Sequence, residues 1–161
     1  MSMYNVGIVG HGKNKFDERT APIARDMIYD IIIDALNHHP KVNVISGHSP
    51  MGGVDIWTEE IVEYIKKENP YLPDNELTMI IKAPRQQSWD GTYGYKARNL
   101  DIARSSDIVH VIVVAKYPLN YRSRRFNECY HCHTNDHIKS GACWTAKQAM
   151  QIGKEAVWHI I

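Results

Sequence analysis

Five short apolar runs, Asn5–Val9, Val42–Ser46, Thr78–Lys82, Ile108–Val114 and Ala156–Ile161, are spread along the whole chain with helical patterns between them. The runs are rich in Val and Ile and do not alternate apolar with polar residues, the pattern of strands buried on both faces. Between the first two, Ile23, Met27, Ile31 and Ala35 recur at helical spacing after Thr20 and Pro22, residues that suit a helix start. Ile56 to Lys67 reads as an amphipathic helix stopped before Pro70, Ala97 to Ser105 as a shorter one, and Thr145 to Ile152 as a last one ended by Gly153. Such alternation predicts an α/β, Rossmann-like fold, an open and mostly parallel sheet with helices on both faces. With 161 residues, 43% of them hydrophobic, a single domain over 1–161 has material for one sizeable core.

In an open parallel sheet the ligand crevice lies beyond the carboxyl ends of the strands. The glycine-rich turns fall there: Gly10-His11-Gly12-Lys13 after the first run, Ser46-Gly47-His48-Ser49-Pro50-Met51-Gly52-Gly53-Val54-Asp55 after the second, and Ser140-Gly141-Ala142-Cys143-Trp144-Thr145 ahead of the last helix. Turns of this kind admit a ligand close to the backbone and aim the free N–H groups of the next helix at it, which suits a phosphate. Each could equally be simple turn chemistry. Asp55 is placed either to act in the site or to complement a helix N-terminus. Trp89, Tyr93 and Tyr95 are placed to stack on a base or to anchor their loop. The segment at about 116–140 has no periodic pattern and reads as a functional or lid-like insertion.

The order of strand, Gly10 and Gly12, strand, Ser46-Gly47 with Gly53 and Asp55, Arg98-Asn99 ahead of Asp107, and then Ser140-Gly141 with Thr145 and Gly153-Lys154, resembles the SLOG superfamily. That Rossmann-like group includes the Lonely Guy phosphoribohydrolases and many small nucleotide-binding proteins. The resemblance runs from Val6 to Ile161 apart from Tyr117–Lys139. It implies a nucleotide-type ligand whose phosphate is held by the Gly47–Gly53 and Gly141–Thr145 turns. The candidate ligand contacts are Gly10, His11, Gly12, Lys13, Gly47, His48, Ser49, Gly52, Gly53, Asp55, Arg98, Asn99, Gly141 and Thr145, although for His11 and Lys13 a plain polar turn reads the same. It also implies a homodimer or higher oligomer, for which the Ile56–Ile65 helix face is a candidate surface. The Lonely Guy enzymes carry a glutamate three residues beyond the threonine, where this chain has Gln148, which cannot act as a carboxylate acid or base. Arg98, Asp55 and Glu59, with Glu60 beside it, are the residues that could carry catalysis instead. The expected function is therefore binding of a nucleotide or nucleotide-derived ligand, as a sensor or sequestering module. The alternatives are an N-glycosidase acting on nucleoside monophosphates and a zinc-stabilised interaction protein.

Cys129, Cys132, His137 and Cys143 follow a Cys-x2-Cys-x4-His-x5-Cys pattern, close to a zinc knuckle whose last gap is one residue shorter. These four are the candidate metal ligands, with His133 as a substitute and zinc as the candidate cofactor. Cys143 could instead pack behind the last turn, and Cys129 to His133 has the form of a c-type haem attachment, which needs export. No apolar run approaches the roughly 18 to 20 residues of a membrane span, and Met1 to Asn5 has no signal-peptide character, so a cytoplasmic protein without membrane contact is expected. A net charge of +1 offers no general attraction to nucleic acid, and Arg122, Arg124 and Arg125 read as a solvated loop.

Overall fold

The Val- and Ile-rich runs are buried because they form one sheet covered on both sides. The structure, a computed structural model, describes residues 3–161. Its strands are β1 (Tyr4–Gly10), β2 (Val42–Ser46), β3 (Leu77–Ile81), β4 (Ile108–Val113) and β5 (Glu155–Ile160). Its helices are α1 (Thr20–His38), α2 (Val54–Glu68), α3 (Tyr95–Ser105) and α4 (Gly141–Gln151). All the pairings are parallel and the strand order is β3-β2-β1-β4-β5. This is a Rossmann-like α/β architecture, and no helix among the described residues is long and apolar enough to cross a membrane.

The helices divide by face. Ala24, Ile28 and Ile32 of α1 and Trp57, Ile61 and Ile65 of α2 pack with Val6, Ile8 and Val44 to form one core layer. On the other side Ile102 and Ala103 of α3 and Ala146 and Ala149 of α4 pack with Val9, Val109, Val111 and Val113. Strand alternation sends neighbouring residues of β4 into opposite layers, which is why the run is apolar but for His110. The apolar stripe of α2, considered above for subunit contact, is consumed within the monomer. Trp57, Ile61, Val62 and Ile65 are all buried against α1 and the sheet.

Two boundaries differ from expectation for local reasons. α3 begins at Tyr95, two residues before Ala97. α4 begins at Gly141 and not at Thr145, because the Ser140 side chain accepts a hydrogen bond from the Ala142 N–H (3.1 Å) and caps the helix there. Between β4 and α4 the chain runs through the long segment with no helix or strand, only an isolated antiparallel bridge between Cys129 and Thr134.

Candidate ligand cleft and metal cluster

The topology reverses between β1 and β4: the chain leaves β1 toward β2 but returns to its other side as β4. The ends of those strands splay the following loops apart and open a crevice at the switch point. A cleft of about 410 Å³ lies there. Gly10, His11, Gly12, Ser49, Asp55, Arg98, Asn99, Gly141 and Thr145, each named above as a ligand residue, line it together with Lys15, Trp89, Tyr95 and Lys139. Lys13, Gly47, His48, Gly52 and Gly53 do not line it.

The second turn builds the wall more than it lines it. Gly53 has φ of 76°, and a Cβ there would strike the backbone of His11, Gly12 and Lys13. Its glycine is required to let the first two turns pack together. A Cβ on Gly47 would strike the Arg98 guanidinium, whose Nη1 donates to the Gly47 carbonyl. His48 points the other way, its Nδ1 lying 2.6 Å from a Glu59 carboxylate oxygen, so Glu59 is engaged outside the cleft. Gly141 contrasts with both: a Cβ there would meet nothing.

Charge in the cleft is uneven. Asp55 is buried and accepts the Ser49 N–H at 3.0 Å, while an oxygen of its carboxylate lies 3.9 Å from Arg98 Nη1. Burial pushes this carboxyl up to about 6, with the Arg98 charge and the Ser49 hydrogen bond opposing the rise. Burial likewise lowers Arg98, whose Nε donates to Asn99 at 2.7 Å and whose guanidinium lies over the Tyr95 ring at 5.3 Å. His11 is only 2% exposed, and neither ring nitrogen has a hydrogen-bond partner among the described residues. Burial first, and then Lys15, His137 and Lys139 nearby, hold its imidazole neutral, well below the usual histidine range. A buried imidazole with both nitrogens unmatched is costly unless something in the cleft meets it. Lys15 and Lys139 were not anticipated from sequence. Lys15 is brought inward by the 3-10 turn Lys13–Lys15 and donates to the Lys139 carbonyl at 3.2 Å.

The long segment and the first turn of α4 bring together Cys129, Cys132, His137 and Cys143, whose ligand atoms all lie within 4.8 Å of one another. This is a cluster able to hold a metal ion, and it comprises the four residues that the spacing selects. A local turn makes it possible: the N–H groups of Cys132 and His133 return to the Cys129 carbonyl (3.2 and 2.8 Å), and His133 adopts φ of 59° to reverse the chain. Burial raises the Cys129 thiol, but the N–H groups of Ser140, Cys132 and His131 outweigh it and bring the group to about 7. Burial pushes the Cys143 thiol up, and Trp158 Nε1 donates to its sulfur at 3.4 Å. His137 Nε2 lies 3.4 Å from that sulfur, and its Nδ1 meets the Asp136 carboxylate at 2.7 Å. A carboxylate on the far nitrogen of a ligating histidine fixes its tautomer and raises its basicity. His133 is exposed and lies outside the cluster.

No protein-family model matches the chain, and no curated protein matches it.

Proposed function

We propose that the protein binds a nucleotide or nucleotide-derived anion in the cleft at the β1/β4 switch point, and that the Cys129, Cys132, His137 and Cys143 cluster holds zinc. The observation that carries the ligand reading is the imbalance of the cleft. Lys15, Lys139 and Arg98 line it, and the only carboxylate lining it among the described residues, Asp55, already faces Arg98. Trp89 and Tyr95 add aromatic surface to the same cleft, which suits a base beside a phosphate. Zinc is favoured by donor type, since three sulfurs and one imidazole nitrogen make a closed tetrahedral set with no position left for substrate. The ion would brace the wall and take no part in chemistry.

A specific observation keeps the N-glycosidase reading alive. A carboxyl lining the cleft and raised to about 6 can hold or release a proton near neutrality, as a general acid or base must. One experiment separates the readings: incubation with inorganic phosphate and a panel of nucleotides, followed by chromatography of bound and free fractions and metal analysis of protein purified without chelators. The expected result is an intact nucleotide retained by the protein and about one zinc per chain. Free base in the medium would favour hydrolysis. Retention of no nucleotide and no phosphate would end the ligand reading, whatever the zinc content.

A further inference from the structure

The segment 116–139 carries five cations, Lys116, Arg122, Arg124, Arg125 and Lys139, against two carboxylates, Glu128 and Asp136. The chain's net charge of +1 hides this concentration, because the remaining residues are acidic on balance. Lys116 and the three arginines are exposed. None of the five cations meets a carboxylate within ion-pair distance among the described residues. One of them has a structural use, since Arg125 Nη2 donates to the Pro118 carbonyl at 3.2 Å and ties the loop.

Aromatic rings are interleaved with these charges. Tyr117 and Tyr121 lie 4.7 Å apart, Phe126 and Tyr130 5.7 Å, and Tyr130 and His131 4.5 Å. Arg124 covers Phe126 at 4.7 Å, and Lys139 lies 5.3 Å from both Phe126 and Tyr130. Tyr130 is nevertheless 46% exposed. The metal cluster begins one residue before Tyr130, so this ring stands on a turn that is locally fixed.

We propose that this face binds single-stranded nucleic acid. Unpaired cations would meet the phosphodiester chain, while Tyr130 and the Arg124 guanidinium offer flat surfaces to unstacked bases. A duplex keeps its bases stacked inside and could use only the charges. An acidic peptide would likewise meet the charges alone. Lys139 lies both in this face and in the cleft, so the two surfaces adjoin.

Fluorescence anisotropy on the full chain, purified without chelators, would use labelled oligothymidine, oligouridine and a duplex, each of about 15 units, across a salt series. Single strands should bind best, with affinity dropping about twentyfold between about 50 and 200 mM salt, as expected for some three neutralised phosphates. The preference between oligothymidine and oligouridine assigns the natural partner to DNA or RNA. Joint replacement Arg122→Ala and Arg124→Ala should flatten the salt slope to about −0.7, whereas Tyr130→Ala should weaken binding about tenfold with the slope unchanged. All three side chains are surface groups, and an unchanged melting temperature verifies that the variants fold. Absence of binding at the lowest salt, a duplex bound as tightly as a single strand, or variants with the affinity of the parent protein would overturn the proposal.

Discussion

Gly53 and Gly141 look alike in sequence, each at the start of a helix, yet they are glycines for opposite reasons. At Gly53 the absent Cβ admits the backbone of a neighbouring turn, and φ of 76° is a conformation that side chains rarely adopt. Gly53→Val should therefore destabilise the protein by about 3 kcal/mol through backbone strain and displaced packing. At Gly141 a side chain would project into open space at the cleft, so Gly141→Val should leave the melting temperature within about 2 °C while weakening nucleotide binding at least about tenfold. Calorimetry and thermal melts on the two variants check the pair, and a stability loss at Gly141 equal to that at Gly53 would contradict it. The same contrast marks how far residue-level reading reaches. A glycine-rich turn is visible in sequence, but whether its missing Cβ makes room for ligand or for the chain itself depends on residues about forty positions away, brought there only by the fold.

Among the elements, α4 concentrates the constraints. Ser140 caps it, Cys143 in its first turn belongs to the metal cluster, and Gly141, Ala142 and Thr145 line the cleft. With zinc in the cluster as proposed, removing the ion should loosen the helix start before the rest of the molecule. Chelation, or Cys132→Ser, should lower the melting temperature by about 10 °C and raise amide exchange over the first turn of α4, with β1 and β2 retaining their protection. Exchange in α4 that is indifferent to chelator would show that the cysteines only pack. The four residues of the cluster could be picked out in advance because they lie within fifteen residues and their spacing is a local property of the chain. Lys15 and Lys139 could not, since what makes them cleft residues is a 3-10 turn and the approach of two segments far apart in sequence. The strands were also readable, because burial on both faces leaves a continuous Val/Ile signature, whereas the start of α4 was missed by four residues where a serine cap outweighed the apolar pattern.

At the scale of the whole molecule, the buried carboxyl makes stability depend on pH. Asp55 is raised from 3.8 to about 6 in the folded chain, so between those values the folded state holds a proton that the unfolded state has released. Its contribution is complete below the lower value and is lost as pH rises through the upper one, to a total of about 3 kcal/mol. His11, lowered by burial, works in the opposite sense, so the quantity to read is the difference between the parent protein and Asp55→Asn. That difference should shrink in the parent's disfavour from about pH 4 to pH 7, measured by denaturant melts, and parallel curves for the two proteins would refute the assignment. The strand order has a separate consequence for synthesis. β1 is central in the finished sheet, but its partner β4 lies about a hundred residues later, at a separation of 102 between Asn5 and Asp107, which share a hydrogen bond. While the chain is being made, β1 can pair only with β2, and its other side presents unpaired N–H and C=O groups of the kind that recruit foreign strands. A strand paired on both sides in the native protein is thus the bare edge of its nascent form until Ile108–Val113 has emerged.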